Sequence, residues 1–164
     1  MIAPVLMVLL ATPVSETEFD GYPSNERVLE HPVAPQVASG KARRFRSVLR
    51  RAGAEGPNFN RRYRTAVWGC GSNCVEWAII NLGDGKVWFA PEPLGSCWAP
   101  LEPGGLTWPD WIETRTDSRL LYAHECSSDR APDRTFNQRR VYEWHGGKLH
   151  LLREEPFVAV EERR

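Results

Sequence analysis

The sequence predicts a mainly β (α+β) domain, a twisted antiparallel meander sheet of five or more strands covered by one N-terminal amphipathic helix. Three observations lead there. From residue 63 onward, short runs rich in aromatic and β-branched residues alternate with glycine-containing turns, as in antiparallel strands joined locally. Just before them, Ala42, Phe45, Val48, Leu49 and Ala52 recur at the spacing that stacks apolar side chains on one helical face. Finally, 164 residues with 41% hydrophobic content suffice for one core and argue against two domains.

Residues 1–11 form an apolar run too short to span a bilayer and about the length of a signal-peptide core, so 1–14 is expected to be an export signal or an apolar tail. Two features depart from a standard signal: no lysine or arginine precedes the run, and Thr12-Pro13-Val14-Ser15 is not a small-x-small cleavage site. Residues 15–38 are polar, contain Pro23, Pro32 and Pro35, show no sustained period, and read as an extended N-terminal arm. The disulfide-stapled β domain is then expected over 39–155, with a charged tail over 156–164.

Within that domain Ser39 is placed to cap the helix, Gly53 or Gly56 to close it, and Pro57 cannot continue it. Strands follow at 63–68, 75–81 and 86–89, the last two joined through Gly83-Asp84-Gly85, a hairpin signal. Residues 91–109 hold five prolines and read as a long loop or flap rather than a strand. A strand at 119–125 and a hairpin of 140–144 with 148–153, turning at Gly146-Gly147, complete the sheet.

The four cysteines, Cys70, Cys74, Cys97 and Cys126, are an even number in a chain with a candidate export signal, which favours disulfides. Three pairings are possible on paper. The flexible residues of Cys70-Gly71-Ser72-Asn73-Cys74 permit a tight turn that brings these two sulfurs together, leaving Cys97 for Cys126. Four-cysteine zinc sites usually come as two short knuckles, and only one closely spaced pair exists here. A redox role for Cys70 and Cys74 is the weaker alternative to a hairpin staple, because the thioredoxin-like pattern requires Cys-x-x-Cys opening a helix in an α/β fold.

The chain is formally neutral, with 21 basic and 21 acidic residues, so there is no global case for a nucleic-acid partner. The distribution is uneven: residues 41–64 hold nine basic residues and one acid, Glu55. Arg43, Arg44 and Arg51 project from the side of the helix opposite Phe45 and Leu49, a face suited to water or to an anionic surface. Seven tryptophans are many for this length. Trp68, Trp77, Trp88 and Trp144 fall in strands and are expected to pack the sheet, whereas Trp98, Trp108 and Trp111 are assigned to the proline-rich loop. These three are candidates for a binding surface, or equally for apolar anchors docking the loop.

The stretch Gly56-Pro57-Asn58-Phe59, Tyr63 and Trp68-Gly69-Cys70-Gly71-Ser72-Asn73-Cys74, continued by Ala78-Ile79-Ile80, Asp84-Gly85-Lys86-Val87, Asp117-Ser118-Arg119-Leu120-Leu121 and Tyr142-Glu143-Trp144, resembles a family of small exported bacterial proteins of uncharacterised function. The likeness covers much of residues 21–152. It implies export and a shared β fold, carries over no activity, and leaves out the 91–110 segment with Cys97.

His31, His124, His145 and His150 lack metal-ligand spacing, and no Gly-x-Ser-x-Gly, His-Glu-x-x-His or phosphate-binding glycine loop occurs. Asp110 and Glu113 beside Trp108 and Trp111 are the nearest approach to a glycosidase-like carboxylate pair. The expectation is therefore an exported, periplasmic or secreted, binding or inhibitor-like module without catalysis or cofactor. Its partner would be an envelope protein or an anionic envelope polymer, and neither nucleic acid nor a transmembrane span is expected. The alternative is a thiol-disulfide exchanger or a hydrolase of the cell envelope.

Overall fold

The structure is a computed structural model that describes residues 18–71, 74–95, 111–125 and 138–156. The expected signal or tail at 1–14, most of the 91–110 segment and most of the C-terminal tail therefore lie outside the described residues. The protein is mainly β, with two antiparallel sheets where the sequence suggests one. Helices α1 (Gly40–Arg44) and α2 (Arg46–Ala54) meet at Phe45, whose φ of −103° and ψ of 21° break the helical run. Ser39 stands at the N-cap with extended backbone and makes no side-chain capping bond.

The first sheet contains β1 (Tyr63–Gly71), β2 (Cys74–Asn81), β3 (Val87–Phe89) and β4 (Leu94–Gly95). Its central strand is β2, which pairs with β1 on one side and with β3 and then β4 on the other. Leu94 and Gly95 thus form a strand inside the segment expected to be entirely loop. Prolines confine that segment without excluding two residues between Pro93 and the following run, and Leu94, 1% exposed, is drawn into the core opposite Val75. The second sheet runs β5 (Ile112–Thr114), β6 (Leu120–Glu125), β7 (Gln138–His145) and β8 (Lys148–Pro156) in that order, all antiparallel.

Two sheets form because two strands are apolar on both faces. Along β2, Val75, Trp77 and Ile79 alternate with Ala78, Ile80 and Leu82 beyond its end, and all six are buried. All six residues of β6 are buried as well. One sheet with a helix on one face would leave half of these side chains in water, so each sheet needs cover on both sides.

The chain solves this with layers. Between the sheets lie Phe59, Tyr63, Val75, Trp77, Ile79 and Leu94 from one side and Trp111, Ile112, Leu121, Ala123 and Trp144 from the other. On the far face of the first sheet, Leu49 of α2 packs with Ala66, Trp68, Ala78, Ile80 and Leu82, flanked by Ala42, Phe45, Val48 and Ala52. On the far face of the second sheet, Phe19 and Tyr22 cover Leu120, Tyr122 and Val141.

Residues 18–38 are therefore a strap built into the domain. Phe19 and Val37 are buried, and backbone bonds fasten the strap to both sheets: Ser24 N to Asp117 O at 2.7 Å, Arg119 N to Tyr22 O at 2.9 Å, Val33 N to Leu82 O at 2.8 Å and Gln36 N to Gly85 O at 2.7 Å. The motif Asp117-Ser118-Arg119-Leu120-Leu121 gains a structural meaning here. The buried Ser118 Oγ lies 2.9 Å from Phe19 O and 2.8 Å from Tyr22 O, and it also accepts from Leu120 N. Polar groups complete the attachment: Glu18 accepts from the Tyr122 hydroxyl at 2.7 Å and pairs with Arg153, which also holds Glu155. Burial, with that Glu18 bond, pushes the Tyr122 phenol well above its ordinary range.

Candidate functional site

The candidate site is the corner where α1, the start of α2 and the tip of the β1–β2 hairpin meet. Register places Gly71 opposite Cys74 and Gly69 opposite Val75, with a bulge between Gly69 and Gly71. This brings the Cys70 and Cys74 Cα atoms to 5.3 Å, and the two sulfurs are bonded. The bond closes a loop of four residues, so the chain-entropy account gives it a modest share of stability, about 2 kcal/mol. Replacing both by serine is expected to lower unfolding free energy by that amount in a urea titration; a loss above about 4 kcal/mol would mean that the bridge organises far more than the hairpin tip.

Beside this staple lies an open cleft of about 500 Å³ lined by Lys41, Arg44, Phe45, Gly69, Cys70 and Glu76. Its polar groups are held in a chain. Lys41 Nζ donates to Glu76 Oε1 at 2.8 Å, and Trp68 Nε1 donates to Glu76 Oε2 at 3.0 Å. Lys41 Nζ also lies 5.1 Å from the centre of the Phe89 ring, and the Arg44 guanidinium stacks 5.5 Å from that of Phe45. Phe45 in turn packs 4.7 Å from Trp68, so the cleft wall is continuous with the core beneath α2.

The Lys41 hydrogen bond, aided by Trp68, holds the Glu76 carboxyl below its usual pKa despite partial burial. A carboxylate with a lowered folded-state pKa adds stability that is present above the unfolded value, roughly 4.3, and is lost as pH falls through the lower folded value. Wild type is thus expected to lose melting temperature more steeply below about pH 4.5 than E76Q, measured by calorimetry. Parallel acid limbs would sink the assignment.

The arginines are the other half of the site. Arg43, Arg44, Arg46, Arg50 and Arg51 are all exposed, and none forms an ion pair among the described residues. Their basic neighbours differ: Lys41 pairs with Glu76, Arg62 with Glu26 and Arg64 with Glu55. Apart from Arg61, which donates to the Glu26 carbonyl, the positive run of 41–64 therefore resolves into a neutralised part and a helical face without ion pairs among the described residues. Arg46 and Arg50, four residues apart in α2, share one helical face, whereas Arg43 belongs to α1 across the break at Phe45.

The other residues singled out in the sequence are distributed differently. Trp111 lies 8% exposed in the inter-sheet layer beside Ile112, which removes it from the exposed binding surface and makes it an anchor. Trp98, Trp108, Asp110, Cys97 and Cys126 lie outside the described residues, and with them the expected Cys97–Cys126 link. Glu113 is on the far face of the second sheet, 3.3 Å from the buried His124. Sequence reasoning missed Lys41 and Glu76 as partners. They are 35 residues apart and meet only because α1 lies over the end of β2.

Among the described residues no group of three or more histidine, cysteine, aspartate or glutamate side chains could hold a metal ion, and no helix is long and apolar enough to cross a membrane. No family model, curated protein or solved structure matches the chain.

Proposed function

We propose that this protein is an exported, non-catalytic binding module that presents the arginine face of α1 and α2 to an anionic partner of the cell envelope. The observation that carries this reading is the set of five exposed arginines, without ion pairs among the described residues, on two helices fixed to a sheet. Uncompensated charge on a rigid support binds with little ordering cost, whereas arginines already paired would have to exchange one carboxylate for another. The Cys70–Cys74 disulfide supports export to an oxidising compartment, and the neutral overall charge argues for a local, oriented contact over general adhesion to polyanions.

The testing experiment is co-sedimentation of the protein with phosphatidylglycerol vesicles and, separately, with neutral phosphatidylcholine vesicles across a salt series. Binding to the anionic vesicles alone, weakening steeply between about 50 and 500 mM salt, is expected for contacts made by exposed arginines. Equal association with both vesicle types, or none with either, would remove the arginine face as the contact surface for lipid anions.

A further inference from the structure

We propose that the cleft beside Cys70 is a specific subsite for an organic phosphate ester, with Arg44 and Lys41 as its cations and Phe45 as the wall for the organic part. The inference rests on the anion-binding reading above and narrows it from a charged face to one chemistry at one place.

An ammonium has three donors, and Lys41 spends one on Glu76, which fixes where the remaining two point. Glu76 is itself held by the Trp68 indole, so the ammonium sits on a supported base. The Arg44 guanidinium lies over the Phe45 ring, 5.5 Å from its centre, and the ring takes none of its N–H donors, which stay available for an oxyanion. It has no ion pair among the described residues, yet its charge bears on Glu76, which places both cations around the same cleft.

Charge bookkeeping selects the sign of the ligand. Lys41 and Arg44 against the single carboxylate of Glu76 leave the cleft one charge positive, and the Arg43 and Arg46 guanidinium groups on the neighbouring turns add to that field. Shape selects the rest. A bare anion needs no aromatic wall, whereas here Phe45 lines the space together with Gly69, whose missing side chain lets a ligand approach the hairpin backbone. The disulfide at Cys70 holds that rim in position.

Binding is tested by isothermal titration of the whole protein with inorganic phosphate and with phenyl phosphate at low ionic strength. Phenyl phosphate is expected to bind at least about fivefold more tightly, reflecting ring burial against Phe45. K41M and R44M should each weaken it about tenfold, whereas E76Q, which removes the competing negative charge, should tighten it severalfold. Lys41 and Arg44 are exposed and Glu76 is partly buried, and circular dichroism checks the fold of each variant. Phenyl phosphate affinity unchanged in both K41M and R44M, or weakened in E76Q, would overturn the proposal.

The broader reading fails separately. R43E/R51E leaves the cleft residues in place, so it should abolish vesicle binding while weakening phenyl phosphate only about twofold, through the lost field of Arg43. Vesicle binding lost in R43E/R51E with phenyl phosphate indifferent to K41M and R44M leaves the arginine face standing and removes the subsite. The subsite stands alone if phenyl phosphate depends on both cations while no vesicle binds. Competition between phosphatidylglycerol vesicles and phenyl phosphate identifies a lipid head group as the source of the ester; simultaneous binding of both identifies a free one.

Discussion

Replacing Trp144 by alanine is expected to destabilise the fold by about 4 kcal/mol, the largest effect of any single substitution considered for this protein. The indole sits 4% exposed between the sheets, with its ring centre 5.1 Å from Tyr63, 5.9 Å from Trp88 and 6.3 Å from Phe59. All three partners belong to the first sheet or the turn leading into it, whereas Trp144 belongs to the second. Truncation therefore removes contacts that join the two halves of the domain, and a layer of rigid rings closes poorly over the space left behind. Urea unfolding followed by circular dichroism measures the loss, with L152A as the comparison. Leu152 is 39% exposed on the edge strand β8, and its truncation should change stability by less than about 0.5 kcal/mol. A W144A loss below about 1 kcal/mol would mean that the sheets are not held together through this layer.

The second large effect is on binding. R43E/R44E/R51E changes the charge of the helical face by six units and should lower affinity for phosphatidylglycerol vesicles by at least about 100-fold, since each basic residue near an anionic surface contributes roughly 1 kcal/mol. Folding should persist, because these three side chains are exposed and make no ion pair among the described residues that the change would break. The contrast with Arg64 is instructive. It pairs with Glu55 and its guanidinium is partly desolvated, which lowers its pKa, so R64E is a lesion of structure. Retained vesicle binding by the triple variant would exclude the arginine face, and unfolding would show that these arginines serve the scaffold.

Local signals carried the strands a long way. Glycine turns and period-two runs located β1, β2, β3, β6 and the β7–β8 hairpin to within a few residues, because these elements pair with their neighbours in sequence and need no distant partner to be recognised. The turn chemistry of residues 70–74 likewise pointed to the disulfide that the structure contains. The exposure of Arg43, Arg44 and Arg51 follows from the apolar face of Phe45 and Leu49 turning inward, although Arg44 folds over the Phe45 ring and does not stand opposite it.

The tertiary structure decided what depends on contacts between segments far apart in the chain. A doubly apolar strand such as β6 states that both faces are covered but not by what, so its burial under Phe19 and Tyr22 on one side and the inter-sheet layer on the other had no local signature. The strap at residues 18–38 reads as an extended arm because its fastening is made by backbone groups and by Ser118, and hydrogen bonds of that kind leave no hydrophobic period. In the same way the sequence supplied a run of positive charge, and only folding sorted it, pairing Lys41, Arg62 and Arg64 with Glu76, Glu26 and Glu55 and leaving the helical arginines without ion pairs among the described residues. Composition and periodicity determine which faces are apolar or charged. Which faces meet is a property of the assembled layers, because electrostatic and packing partners are chosen by proximity in space.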